Sequence, residues 1–252
     1  MKTIIIKNPI EFCIEAIGEK WRQGEKLKGV VTVKNNGTEK CEIPFLKVAL
    51  LSGVYKKVKA KDPKAFDSIH EEMLVKNITL NAAETKEFPF EIKLSENCRI
   101  TDKDGSVYLA LYDKDETIQT GNLELTITPR LMMMQFLEVM DNFIRFKIGP
   151  MKFQKEMVEV KLTPPVSKEF SQMEGLTLRM KEVDKNLVLE YHFSSKKIEM
   201  NGSSMSTSKV AQKFDQTITA KEFYIYGDSV NQEGITAKVN SILNEVKPKL
   251  MF

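Results

Sequence analysis

The chain has 252 residues, 42% hydrophobic and 29% charged, with a formal net charge of +3, a composition that places it among folded globular proteins. At 28.8 kDa it suffices for one large domain or two modest ones, and a chain of this size buries roughly 70 to 75% of its unfolded surface without help from a metal or a disulfide. The 38 basic and 35 acidic residues are spread evenly, 21 and 20 of them up to Arg130, so a polyanion-binding module is not expected and nucleic acid is set aside as a partner.

The N-terminal run Ile4-Ile5-Ile6 is far too short for a signal peptide, and no later window is long enough to span a bilayer. From there to Thr128 short strands follow one another. Phe12, Ile14 and Ala16 alternate with Glu11, Cys13 and Glu15, and Leu27, Val31 and Val33 alternate with Lys28, Thr32 and Lys34 before the turn Asn35-Asn36-Gly37. The continuous apolar run Phe45 to Leu51 predicts a central strand, and Glu72 to Leu80 another. Phe88, Phe90, Ile92 and Leu94 form the cleanest alternation. Pro89 within it cannot donate to a ladder, so that strand belongs at a sheet edge or at a bulge. Val107, Leu109 and Leu111, then Leu123, Leu125 and Ile127, complete seven or eight strands with no convincing helix, the pattern of a β-sandwich.

The period changes at Thr128-Pro129, which reads as an N-cap followed by a first-turn proline. Met133, Phe136, Leu137, Met140 and Ile144 recur at helical spacing, with Gln135, Glu138 and Asp141 on the opposite side. Strands are predicted at Ile144 to Ile148 and Val158 to Leu162, and a short helix over Val166 to Met173. A hairpin follows, Leu176 to Met180 and Leu187 to Phe193, turning at Val183 to Asn186. Asn201 to Ser208 reads as a loop, and a last helix carries Ile235, Val239, Ile242, Leu243 and Val246 on one stripe before Pro248 stops it. The expected fold is therefore mainly β: a β-sandwich domain over 1–128 and a mixed α+β domain with helix-strand units over 129–252.

Two stretches of the first half resemble the N-terminal domain of the arrestin-like proteins. One is Trp21-Arg22-Gln23-Gly24-Glu25 continued by Gly29-Val30-Val31-Thr32-Val33. The other is Phe88-Pro89-Phe90-Glu91-Ile92-Lys93-Leu94 with the following Gly105-Ser106-Val107-Tyr108 strand. Gly24 suits a tight turn, Gly29 a bulge, and Glu25 can satisfy turn amides. In the second half Val158-Glu159-Val160, Pro164-Pro165 and Phe170 to Leu176 look like the bacterial sporulation-control branch of that family. The resemblance implies a non-catalytic scaffold or regulator working through protein contacts, sometimes at a membrane.

The residues themselves point the same way. His70 and His192 are the two histidines, and no HExxH, GxSxG, Walker or GxGxxG motif accompanies them, so no catalytic residue, cofactor or metal is expected and the chain is not read as an enzyme. Asp102 and Asp104, and Asp113, Asp115 and Glu116, were they calcium ligands, would be held about 20 Å apart by the strand between them, so they read as turns. Cys13, Cys41 and Cys98 lack a CxxC pair and read as reduced thiols of a cytoplasmic protein, which leaves the sequons at Asn36, Asn77 and Asn201 without meaning. Met132-Met133-Met134 heads a core helix, and Gly202 to Ser208 fits a hairpin connection as well as a phosphorylated loop.

The densest charge feature is Lys56, Lys57, Lys59, Lys61 and Lys64, beside Tyr55, in a loop after the central strand. It is either a solvated loop or a contact for anionic lipid headgroups or phosphorylated segments. The expected role is a cytoplasmic adaptor or regulatory scaffold that binds protein partners through strand edges and loops, with peripheral contact to an anionic membrane as an additional expectation. A ligand- or carbohydrate-binding sandwich is the alternative, and would need a concave aromatic face built from Trp21 and six scattered tyrosines. A hydrolase would need His70 or His192 to meet a carboxylate and a nucleophile.

Overall fold

The computed structural model describes residues 1–114, 120–201 and 204–246, and between 197 and 207 the strand backbone alone. Two units divide the chain, Met1–Thr128 and Pro129–Phe252.

Period-two alternation builds the first unit from two antiparallel four-stranded sheets. One has the order β1 (Lys2–Lys7), β2 (Ile10–Ala16), β4 (Lys26–Asn35), β7 (Thr85–Lys93). The other has the order β6 (Phe66–Leu80), β5 (Cys41–Val54), β8 (Gly105–Tyr112), β9 (Gly121–Leu125). Short strands β3 (Trp21–Arg22) and β10 (Ile127–Thr128) pair in parallel. Phe12, Ile14, Leu27, Val31, Val33 and Ile92 from the first sheet share one core with Leu46, Val48, Leu50, Leu109, Leu111 and Leu125 from the second. Fully burying each such side chain is worth roughly 1.5–3 kcal/mol, so this shared interior defines the sandwich.

The run Phe45 to Leu51 of β5 is apolar apart from Lys47 because side chains on both faces of its sheet are buried. All eight residues of β8 are buried. Ala49, Leu51, Tyr108, Ala110 and Tyr112 form a second cluster on the outer face, joined by Phe45, Tyr55 and Phe66. Lys47 is buried there too, its ammonium 2.9 Å from Glu71 Oε2 and 4.8 Å from the Tyr112 ring centroid. Two cationic contacts compensate the lost hydration of that charge.

Both stretches that carried the resemblance have a physical role. Gly24 sits at φ 83, in a turn where Glu25 Oε2 accepts the Arg22 N–H at 2.8 Å. Trp21 is buried and its N–H donates to Thr126 O at 3.0 Å. Pro89 lies on β7, an edge strand. Gly29 is not at a bulge: it pairs in regular register with Ala16 on one side and Phe90 on the other. A Cβ there would collide with the Phe90 ring and the Glu15 carbonyl, so the glycine is required by close approach.

The second unit is a five-stranded antiparallel meander, β11 (Lys147–Gln154), β12 (Met157–Thr163), β13 (Met173–Val183), β14 (Asn186–Asn201) and β15 (Ser204–Ile218). Helices α2 (Leu131–Asn142), α3 (Ala220–Phe223) and α4 (Gln232–Val246) accompany it. Met133, Phe136, Leu137 and Met140 of α2 are buried, as are Val158, Leu178, Leu189, Tyr191, Ile235, Val239 and Leu243. Asp184 and Lys185, both with positive φ, make the two-residue turn between β13 and β14 whose twist matches the strands.

Several sequence expectations are corrected. Ten strands form in the first unit among the described residues, including β1, and one short helix, α1 (Tyr55–Lys59), occupies the start of the lysine loop. Thr128 is not an N-cap. Its backbone carbonyl accepts Gln23 N–H at 3.0 Å and its hydroxyl donates to Trp21 O at 3.2 Å, so strand pairing claims it and α2 starts after Arg130 with no side-chain cap. The strand expected from Ile144 begins only at Lys147, because Phe146 N–H still closes on Met140 O at 3.0 Å. Val166 to Met173 holds only a single 3₁₀ turn, Lys168–Phe170. The loop expected over Asn201 to Ser208 is largely the tip of the β14–β15 hairpin, since serine and threonine tolerate a strand that pairs along its whole length. Gly202, Ser203 and Pro248 lie outside the described residues.

Gly29→Ala is expected to destabilise the protein by about 2 kcal/mol through overpacking, read from urea unfolding midpoints. The double variant Gly29→Ala/Phe90→Ala should lose less than the sum of the two single changes. Additive losses would show that the ring does not enforce the glycine.

Candidate functional site

The five lysines of the loop are brought together. Lys56, Lys57 and Lys59 stand on α1 and Lys61 and Lys64 on the turn after it, all exposed. The loop is tied at its base: Val54 N–H donates to Ala65 O at 3.4 Å and Tyr55 N–H to Asp104 O at 3.0 Å. Within it Lys61 N–H reaches Val58 O at 3.1 Å and Asp62 N–H reaches Lys57 O at 3.0 Å. Asp62 Oδ1 accepts the Lys64 N–H at 2.8 Å. Tyr55 packs against the outer cluster and its hydroxyl donates to Glu124 Oε1 at 2.5 Å. Burial, then that carboxylate, push the Tyr55 phenol well above the ordinary range, and Tyr108 beside it up to about 12, so both stay neutral donors at any physiological pH.

A second surface went unread in the sequence. Among the described residues β1 lies at the edge of its sheet, with β2 as its only neighbour in the sheet order, and turns Ile4 (53% exposed) and Ile6 (70% exposed) to solvent. The alternation of Ile4 and Ile6 with the partly buried Ile5 was the available signal; three identical apolar residues hid it.

The remaining chemistry-bearing residues are dispersed. His70 is exposed on β6. His192 on β14 approaches Glu190 Oε2 at 3.1 Å, and the same carboxylate meets Arg179 at 3.4 Å and Lys213 at 3.7 Å. The His192 hydrogen bond, with Lys213 and Arg179, holds the Glu190 carboxyl below its usual range. Asp102 Oδ1 accepts the N–H groups of Asp104 at 2.8 Å and Gly105 at 3.0 Å and meets Arg99 at 2.9 Å. Asp113 is buried against Lys7 at 2.9 Å and Thr120 at 2.6 Å. Asp115 and Glu116 lie outside the described residues. Among the described residues no three His, Cys, Asp or Glu side chains converge as metal ligands, and no helix is long and apolar enough to cross a membrane. Trp21, Tyr108, Tyr112 and Tyr191 are all buried, leaving no aromatic platform built from them.

Residues 17–190 match the model of the family described as SpoOM protein. The chain belongs to that family. Both motifs of the first unit, Trp21 to Glu25 and Phe88 to Leu94, fall inside the matched span, in keeping with the arrestin-like resemblance they carried. The crystal structure of Spo0M, sporulation control protein, from Bacillus subtilis is similar over 94% of this chain and 99% of that one, with a TM-score of 0.64 and 17% identity; at that identity the likeness shows the fold. An alkylpurine DNA glycosylase from Pseudomonas fluorescens is 13% identical over 46% of this chain and 29% of its own, with a TM-score of 0.32. A β-glucosidase from Listeria innocua is 16% identical over 48% and 16%, also at 0.32. Neither score carries an argument. No curated protein sequence matches the chain.

The thiols of this SpoOM family member are free, and burial raises all three, Cys98 up to about 12. Because the folded value of Cys98 lies above the ordinary 9.0, its contribution to stability is complete below about pH 9 and is lost as pH climbs toward 12. A disulfide exchange reagent near neutral pH should leave Cys98 unmodified in the native protein and modify it at once in urea, as followed by mass spectrometry. Equal rates in both states would contradict a buried, protonated thiol.

Proposed function

We propose that this SpoOM family member is a non-catalytic, cytoplasmic regulatory adaptor that engages a protein partner along the free edge of its sandwich. The observation that carries this reading is β1, an edge strand whose open backbone is flanked by the exposed side chains of Ile4 and Ile6. An extended segment adding there gains main-chain hydrogen bonds from the ladder and affinity from the two isoleucines. The family supports regulation, and the Bacillus subtilis relative is described as a sporulation control protein. His70 is exposed on β6, and the carboxylate that His192 meets, Glu190, is also held by Arg179 and Lys213, which supports binding over hydrolysis. The burial of Trp21, Tyr108, Tyr112 and Tyr191 takes four of the seven rings considered for the carbohydrate alternative away from any exposed face.

Ile4→Lys/Ile6→Lys places charge on the edge without touching the core. Proteins retained by the wild-type chain in a quantitative pull-down from native lysate should be lost from this variant while its melting temperature stays unchanged. An identical retained set for both proteins would refute edge recognition.

A further inference from the structure

Between Tyr55 and Ala65 the sequence places Lys56, Lys57, Lys59, Lys61 and Lys64 against one carboxylate, Asp62. That carboxylate accepts a backbone N–H of its own turn, from Lys64 at 2.8 Å. Lys57 Nζ reaches only a backbone carbonyl, Lys64 O at 3.4 Å, and among the described residues none of the five ammonium groups has a carboxylate partner. Several other surface lysines of this unit are paired: Lys26 and Lys28 share Glu91, Lys40 meets Glu42, and Lys86 meets Glu84. Those without a carboxylate partner among the described residues, such as Lys20, Lys34 and Lys76, are scattered singly along the sequence. Five like charges without counter-charges repel one another, and the loop holds them together only because its backbone is closed at Val54–Ala65 and anchored by Tyr55 on Glu124. We infer that this loop is a contact for the surface of an anionic lipid bilayer, holding the protein there peripherally through charge alone.

Three features favour a bilayer over a phosphorylated peptide. The loop contains no arginine, and so lacks the planar bidentate donors by which peptide phosphates are clamped in register. Lysines are point charges on flexible stems, suited to many diffuse headgroups at once. The sole aromatic ring, Tyr55, is committed to the outer cluster of the second sheet, so nothing inserts into the acyl region and no sequence is read. The contact therefore fades beyond a Debye length of about 8 Å at physiological ionic strength. It is independent of strand-edge recognition at β1.

The test is co-sedimentation of the full chain with vesicles of phosphatidylcholine alone and of phosphatidylcholine with about a third phosphatidylserine, a strongly anionic surface. Binding is expected to the mixed vesicles only and should vanish in high salt. Lys56→Gln, Lys57→Gln, Lys59→Gln, Lys61→Gln and Lys64→Gln together should weaken it about tenfold or more, with an unchanged melting temperature. The same five positions changed to arginine should restore it. The inference is overturned if the wild-type chain ignores anionic vesicles, or if the five-glutamine protein binds them as well. It is equally overturned if a phosphorylated peptide, and not the vesicles, is bound in a lysine-dependent way.

Discussion

Phe12, Ile14, Val31 and Val33 on one sheet leave water only by facing Leu46, Val48, Leu50, Leu109 and Leu111 on the other. Each sheet alone would expose a continuous apolar face, and the two together cancel that cost. The face-to-face contact dictates which residues must be small. Phe90 crosses from the edge strand β7 toward Ala16 on β2 through the position of Gly29 on β4, and any side chain at that glycine would meet the ring or the Glu15 carbonyl. A large residue at the edge is thus balanced by two small ones further in, and Gly29 has a steric cause.

A sandwich closed face to face remains open along its edges, and its connections run outside the core. Both surfaces to which function is assigned follow from that. β1 has one neighbour in its sheet and must turn every second residue outward, which is why Ile4 and Ile6 are exposed. The segment leaving β5 must travel over the outer cluster before returning as β6. It does so as α1 and a hydrogen-bonded turn, with Tyr55 pinned inward by Glu124 and the lysines left on the solvent side. The second unit spends its chemistry differently. Its meander buries one face, and on the other Arg179, His192 and Lys213 converge on Glu190. That carboxylate is held ionised by its neighbours, which makes it a structural anion rather than a proton donor near neutral pH.

The patterned strands were legible because their period is local: Phe12 to Ala16, Leu27 to Val33 and Phe88 to Leu94 state their buried face within a few residues. The lysine set was legible as charge. Misreadings arose where a tertiary contact outweighed a local preference. Thr128 has the chemistry of a helix cap, yet pairing with Trp21 and Gln23 claims both its hydroxyl and its carbonyl. Gly29 has the chemistry of a bulge, yet it sits in regular register beneath Phe90. Ser204 to Ser208 is polar and small, yet belongs to a strand because β14 supplies partners for its backbone. Asp102, by contrast, reads from the sequence as a turn residue, and its carboxylate is taken up by the turn it starts.

By itself the sequence determined the mainly β character of the chain, the inward residues of most strands, the restriction of Pro89 to a sheet edge or a bulge and the presence of five clustered lysines, all consequences of side-chain periodicity and composition. Only the tertiary structure decided that Ile4 and Ile6 flank a free edge, that Tyr55 is fastened to Glu124 while the lysines beside it are not paired, and that Glu190 and Asp102 are already satisfied. Those outcomes depend on residues far apart in the chain, and a pattern read within a few residues carries no information about which distant group will supply or withhold a partner.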